Sequence, residues 1–158
     1  MIRFQTILVP TDFSSAAKQA IPYAAHLARP DGEILLVHVM ELPHYPTLFE
    51  GTALVVPPID ENLRKQLEAQ LEKSAAEVRD SGLRCRSILR EGPPTSELLD
   101  CAKEQSADLI VIATHGYTGI KHMLLGSTAE QVVRHACCPV LTIRAELLGD
   151  QTERNESS

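Results

Sequence analysis

The residues best placed to do chemistry are Ala113-Thr114-His115-Gly116 and, after a nine-residue spacer, Gly126-Ser127-Thr128. They lie between an all-apolar run, Leu109 to Ala113, and a stretch of helical periodicity, Ala129 to His135. Strand, glycine-punctuated loop and helix start, in that order, present backbone N–H groups to a phosphate. The first amides of a helix have no acceptors of their own, and the helix dipole favours an anion there. Gly116 and Gly126 permit close backbone approach, and Ser127 and Thr128 add hydroxyls. Neither standard phosphate motif is present, since the chain has no GxxxxGK[ST] and no GxGxxG. Ser127-Thr128-Ala129-Glu130 also matches a capping box, in which the serine satisfies the helix N-terminus. The two roles are compatible, because a cap leaves neighbouring amides available.

Such a loop needs a frame to hold it, and the rest of the chain reads as one. Short apolar runs alternate with longer amphipathic ones, the pattern of an α/β layer fold. Strands are expected at Thr6 to Pro10, Glu33 to Met40, Arg84 to Arg90, Asp108 to Ala113 and Pro139 to Arg144. Asp108 to Ala113 has no polar residue after Asp108, so it reads as a central strand buried on both faces. Arg84 to Arg90 alternates with some exposure, as an edge strand does.

Between the strands come helical patterns. Ser14 or Ser15 caps the first, with Ala17, Ala20, Ile21, Ala24 and Leu27 on one face and a kink expected at Pro22. Asp60 caps the longest, whose stripe is Leu63, Leu67, Leu71, Ala75 and Val78, and Gly82 ends it. Thr95 or Ser96 opens a third through Gln105, and Ser127 to His135 is the fourth. The sum is a single open, five-stranded parallel sheet with helices on both faces, Rossmann-like, with right-handed crossovers. In such a sheet ligands sit where strand order reverses, beyond the strand C-termini, and Asp12, Val39 and Ala113 end three different strands there. One domain is expected over residues 1–145, followed by a flexible polar tail over 146–158. The proline-bearing segment Glu41 to Ile59 is long for a loop, which is the property of functional or mobile connections.

Composition narrows the function. The net charge is −6 and the hydrophobic fraction 44%, an ordinary globular balance that points away from nucleic acid and anionic membranes as partners. No stretch reaches eighteen apolar residues, so no membrane span is expected. Met1-Ile2-Arg3-Phe4 leads directly into an apolar run, without the layout of a secretory leader. Cys85, Cys101, Cys137 and Cys138 lack disulfide or CxxC spacing and read as reduced thiols of a cytoplasmic protein. His26, His38, His44, His122 and His135 show no metal-ligand spacing. Asp12 by itself reads equally as an Asx-turn residue before the first helix or as a ligand contact. Tyr45 and Phe49 suit either a ligand or a partner subunit.

Ile7-Leu8-Val9-Pro10-Thr11-Asp12-Phe13-Ser14, Val37-His38-Val39, Gly92-Pro93, Asp108-Leu109-Ile110-Val111-Ile112, Thr114-His115-Gly116, Leu125-Gly126-Ser127 and Cys138-Pro139-Val140-Leu141 together resemble the universal stress protein family over about residues 2–145. The ATP-binding branch of that family carries G-x2-G-x9-G-[ST]. Here the pattern reads Ala113-x2-Gly116-x9-Gly126-Ser127, with alanine at the first glycine.

The resemblance implies that Asp12 and the backbone of Val39 hold adenine, with Pro10 and Thr11 as its wall. It implies that Ile112, Ala113, His115 and Gly116 line the ribose and phosphates. Gly126, Ser127 and Thr128 would grip the phosphates of ATP, ADP or AMP, with magnesium or manganese. It also implies a homodimer through strand Pro139 to Arg144, whose apolar edge would otherwise lie open, and a downstream protein partner. The expected function is an ATP-binding stress-response regulator. One alternative is slow ATP hydrolysis or self-phosphorylation in the same pocket, for which Ser127 and Thr128 are acceptors and no activating base is evident. The other is a protein-interaction module that binds no nucleotide, the branch that the alanine at 113 keeps open.

Overall fold

The computed structural model describes residues 2–41, 60–114 and 126–144. Five parallel strands form one sheet: β1 (Phe4–Pro10), β2 (Ala28–Met40), β3 (Arg84–Glu91), β4 (Leu109–Ala113) and β5 (Val140–Ile143), in the order β3-β2-β1-β4-β5. The helices are α1 (Ser15–Lys18), α2 (Ala20–Leu27), α3 (Glu61–Asp80), α4 (Pro94–Glu104) and α5 (Ser127–His135). This is the expected open parallel α/β sheet. Residues 42–59, 115–125 and 145–158 lie outside the described residues, and with them His115, Gly116, Tyr45, Phe49 and the expected polar tail.

The helices cover both faces because each inner strand carries an unbroken apolar run, Ile7 to Val9 in β1, Ile34 to Val37 in β2 and Leu109 to Ala113 in β4. Ile7, Val9, Ile34, Leu36, Leu109 and Val111 pack on one side with Ala20 and Ala24 of α2 and Leu71, Ala75 and Val78 of α3. Leu8, Leu35, Val37, Ile110 and Ile112 pack on the other with Leu98, Cys101 and Ala102 of α4 and Ala129 and Val132 of α5. Successive residues of a strand point to opposite faces, so each apolar run serves two cores. β4 is interior as expected, but β1 holds the centre. β3 is an edge strand, with Arg84 and Arg86 exposed around buried Cys85.

Several element boundaries differ from the expected ones, each for a local reason. Ser14 Oγ accepts the Ala17 N–H at 3.1 Å and caps α1, which ends at Lys18. The helix is broken at Gln19 rather than kinked at Pro22, because a proline ring clashes with the carbonyl four residues back, here Lys18. β2 begins at Ala28, not Glu33: its register against β1 jumps from Phe4↔Ala28 to Thr6↔Glu33, so residues 29–32 bulge. Gly32 sits in that bulge, where a Cβ would lie 3.0 Å from the carbonyl oxygens of Phe4 and Gln5. α4 starts at Pro94, with Pro93 as N-cap, one residue ahead of the expected Thr95 or Ser96. Proline is tolerated at the first helical position because the N–H it lacks would have had no acceptor. In α3, Leu71, Ala75 and Val78 are buried, but Leu63 is 45% exposed and Leu67 only half-buried, so the stripe's first turns do not reach the core.

The order of strands sets the site. From β1 the chain winds outward to β2 and β3, then returns across β1 to β4 and β5, so strand order reverses between β1 and β4. The β1–β4 register is Ile7↔Leu109 and Leu8↔Ile110. The ladder stops there, and the C-terminal ends of the two strands part around a crevice.

Candidate functional site

A cleft of about 450 Å³ occupies that crevice, within the range that holds small molecules and cofactors. Of the residues singled out in the sequence, Pro10, Thr11, Asp12, Val39, Ile112, Ala113, Gly126, Ser127 and Thr128 all line it. Ala17, Val37, His38, Glu41, Pro94, Leu98, Thr114 and Ala129 complete the wall. His115 and Gly116 lie outside the described residues.

One wall is the turn that follows β1. Thr11 N donates to Val37 O at 2.8 Å, the last rung of the β1–β2 ladder. A strand residue points its N–H and C=O to the same side and its neighbours point theirs to the other. Val39 therefore faces the β1 side one step beyond that rung, where β1 has already turned away. Val39 lines the cleft there. Thr11 Oγ1 accepts the Phe13 N–H, and Asp12 Oδ1 accepts the Ser14 N–H, each at 3.0 Å. Asp12 thus makes the Asx-turn bond that one of its two readings required, and it lines the cleft as the other required.

The opposite wall is the start of α5. Thr114 is buried, at 5% exposure, and its backbone ties three elements together. Its N–H donates to Ile143 O of β5 at 2.9 Å, and its carbonyl accepts the Gly126 N–H at 2.8 Å. Gly126 is the N-cap of α5, and no side chain among the described residues caps the helix. Ser127 is therefore the first helical residue, and the capping-box reading is overturned: Gly126 takes the position a capping serine would need. The Gly126 amide is likewise engaged by Thr114. The N–H groups that α5 offers to the cleft are those of Ser127, Thr128 and Ala129, which precede the first intrahelical bond, Glu130 N to Gly126 O. A Cβ on Gly126 would stand 2.9 Å from the Thr114 carbonyl oxygen. The glycine is required by this close approach, since its φ of −66° suits any residue.

Asp12 and Glu41 are the charged residues of the described lining, which holds no lysine or arginine. An anion there would be met by helix amides and dipole. Among the described residues no group of three metal-ligating side chains exists. The thiols take no part in the cleft: burial pushes Cys85 up to about 11 and Cys138 up to about 11, and raises Cys101, so all three are protonated at neutral pH. Cys137 is exposed.

Reading the sequence residue by residue missed His38 and Glu41 as wall residues. His38 Nδ1 lies 2.7 Å from Thr11 O, and its ring centroid is 4.5 Å from that of Phe13. The one available signal was its position between Val37 and Val39 at the end of a strand.

An open parallel sheet with a cleft at its strand-order reversal, walled by the N-terminus of a helix, defines a doubly wound α/β protein. The chain belongs to the universal stress protein family, whose model matches residues 3–144. It is 32% identical over 143 residues to Universal stress protein MJ0531 of Methanocaldococcus jannaschii, covering 89% of this chain and 82% of that one. Universal stress protein UspA from Lactobacillus plantarum superposes with a TM-score of 0.70 at 28% identity, covering 90% of this chain and 99% of the other. A family member from Arabidopsis thaliana, solved with AMP bound, shares the fold with a TM-score of 0.62 at 21% identity over 94% of this chain and 99% of its own. No helix among the described residues is long and apolar enough to cross a membrane.

Proposed function

We propose that this universal stress protein binds an adenine nucleotide, ATP by preference, in the cleft between β1 and β4, and acts as a homodimeric nucleotide-responsive regulator. The observation that carries the reading is the start of α5, where the amides of Ser127, Thr128 and Ala129 line the cleft without a capping side chain. Polyphosphate is the anion such a terminus suits. At the other wall, the Val39 backbone and the Asp12 carboxylate offer a donor and acceptors of the kind an adenine edge and a ribose require. AMP in the Arabidopsis relative supports the same ligand class. Magnesium or manganese belongs in this reading to the ligand, carried on its phosphates. We assign dimerisation to β5, an edge strand with half-buried Val140 and Leu141. A strand edge left open in this way is a template for pairing. The reading assigns no catalytic residue.

The test is calorimetric titration of the chain with ATP, ADP and AMP in magnesium, beside Ser127→Pro. Proline suits the first helical position and removes one amide donor there, and the extended ψ of Gly126, 152°, suits the residue before a proline. The variant keeps its melting temperature and loses about a hundredfold in ATP affinity, about tenfold for each of the two donors it lacks, the amide and the hydroxyl of Ser127. Absence of ATP binding in the unaltered chain, or equal affinity in the variant, refutes the site.

A further inference from the structure

We propose that His38 is a positioning residue for this cleft: from β2 it grips the residues on both sides of Asp12 and so fixes how that carboxylate faces a ligand's base. The inference rests on the nucleotide reading above and adds the residue on which its base selectivity depends. Residues 11–14 leave the sheet in a turn that is not relaxed. Phe13 has φ +65°, a left-handed conformation that an aromatic residue adopts at a cost and keeps only where its surroundings hold it.

The bonds inside the turn, Phe13 N–H to Thr11 Oγ1 and Ser14 N–H to Asp12 Oδ1, set its shape. They do not set its place on the sheet. Thr11 N to Val37 O anchors its start. His38 adds contacts on both sides of Asp12. Its Nδ1 is 2.7 Å from the Thr11 carbonyl, the oxygen of the peptide that joins Thr11 to Asp12, and its ring packs on Phe13 at 4.5 Å with a 40° tilt. A carbonyl only accepts, so Nδ1 carries the hydrogen and the tautomer is settled by this bond. One imidazole thereby restrains the peptide before Asp12 and the side chain after it. His38 also lines the cleft beside Asp12.

Two substitutions separate the donor from the ring. In His38→Asn the amide nitrogen stands where Nδ1 stood, keeping the donor without the ring. In His38→Phe the ring is kept and the Thr11 carbonyl loses its partner. The probes are ATP, GTP and inorganic tripolyphosphate, titrated into the whole chain with thermal melting as a check on folding. His38→Phe weakens ATP about tenfold and narrows the ATP-to-GTP ratio by a similar factor, while tripolyphosphate, which meets α5 alone, stays within about twofold. His38→Asn recovers ATP to within about threefold of the unaltered chain. An unchanged ATP affinity and ATP-to-GTP ratio in His38→Phe overturns the positioning role and leaves the nucleotide reading standing. Parallel loss of ATP and tripolyphosphate overturns it too, as does a loss in His38→Asn equal to that in His38→Phe, because each marks a general structural role. An unaltered chain that binds tripolyphosphate but does not distinguish ATP from GTP also removes the inference. One that binds no nucleotide at all removes the nucleotide reading together with it.

Discussion

The two ends of the sheet treat their backbone in opposite ways. At the N-terminal end the chain supplies its own partners. The Asp108 carboxylate accepts the N–H groups of Gln5 and Thr6 at 2.8 and 3.0 Å, and Arg3 donates to Ala28 O at 2.8 Å. Gln5 Nε2 and the Arg84 guanidinium both donate to the Asp31 carbonyl. At the C-terminal end the β1–β4 ladder stops short, Val39 passes its last rung, and α5 begins without a side-chain cap. Backbone donors and acceptors left open need water or a ligand. When one end of a sheet is closed by its own side chains and the other is not, the open end is where binding chemistry belongs. The closed end is where the chain invests in stability.

The division is broken most directly by removing the closed end's main clamp. Asp108→Ala withdraws both acceptors from the start of β1 and costs about 2 kcal/mol, read as a melting temperature lower by about 4–8 °C. ATP affinity, measured at the far end of the sheet, stays within about twofold because the sites are distant and share no partner. A change in affinity as large as the change in stability would mean that the two ends are not independent.

Gly126→Ala comes next, and it crosses the divide. Its methyl would press on the Thr114 carbonyl at 2.9 Å, and the shift needed to relieve that contact costs about 1–2 kcal/mol. Because Thr114 also holds Ile143 of β5, stability and ATP binding fall together. An isolated loss of binding, with melting unchanged, would show that the close approach does not constrain the helix. This coupling is why a substitution at Ser127 probes the open end more cleanly than one at Gly126.

The contrast also explains what was legible in the sequence. The all-apolar run Leu109-Ile110-Val111-Ile112 announced an inner strand, because burial on both faces leaves no room for a polar residue, and Ile7-Leu8-Val9 announced a strand without its place in the sheet. From those strands and the helices between them, the edge where Asp12, Val39 and Ala113 converge followed by topology. Boundaries set by contacts between elements were not legible. Residues 29–32 lay outside the expected strand, yet they follow β1 as a bulge because Gly32 lets the backbones close. Ser127 satisfied a local capping pattern, but the residue that occupies the cap is chosen by the distant Thr114 carbonyl. His38 carried no local sign of its bond to Thr11, since neighbouring strands bring together residues far apart in sequence.

The smallest effects sharpen the comparison at the level of single helix starts. Asp60 caps α3, its Oδ1 accepting the N–H groups of Asn62 at 2.9 Å and Leu63 at 3.4 Å, and it does not line the cleft. Asp60→Ala therefore lowers stability by about 1 kcal/mol with ATP affinity unchanged. Ser127→Ala gives the mirror image. Its hydroxyl makes no cap bond, so its removal leaves stability within about 0.5 kcal/mol, while ATP binding weakens about tenfold through a lost phosphate contact. Both quantities come from the same pair of experiments, thermal melting and calorimetry, on both variants. A loss of about 1 kcal/mol in Ser127→Ala would restore the capping box, since only a serine that closes the helix contributes that much. The same loss would leave α5 as self-sufficient as α3, and the open end of the sheet would lose the feature that most sets it apart from the closed one.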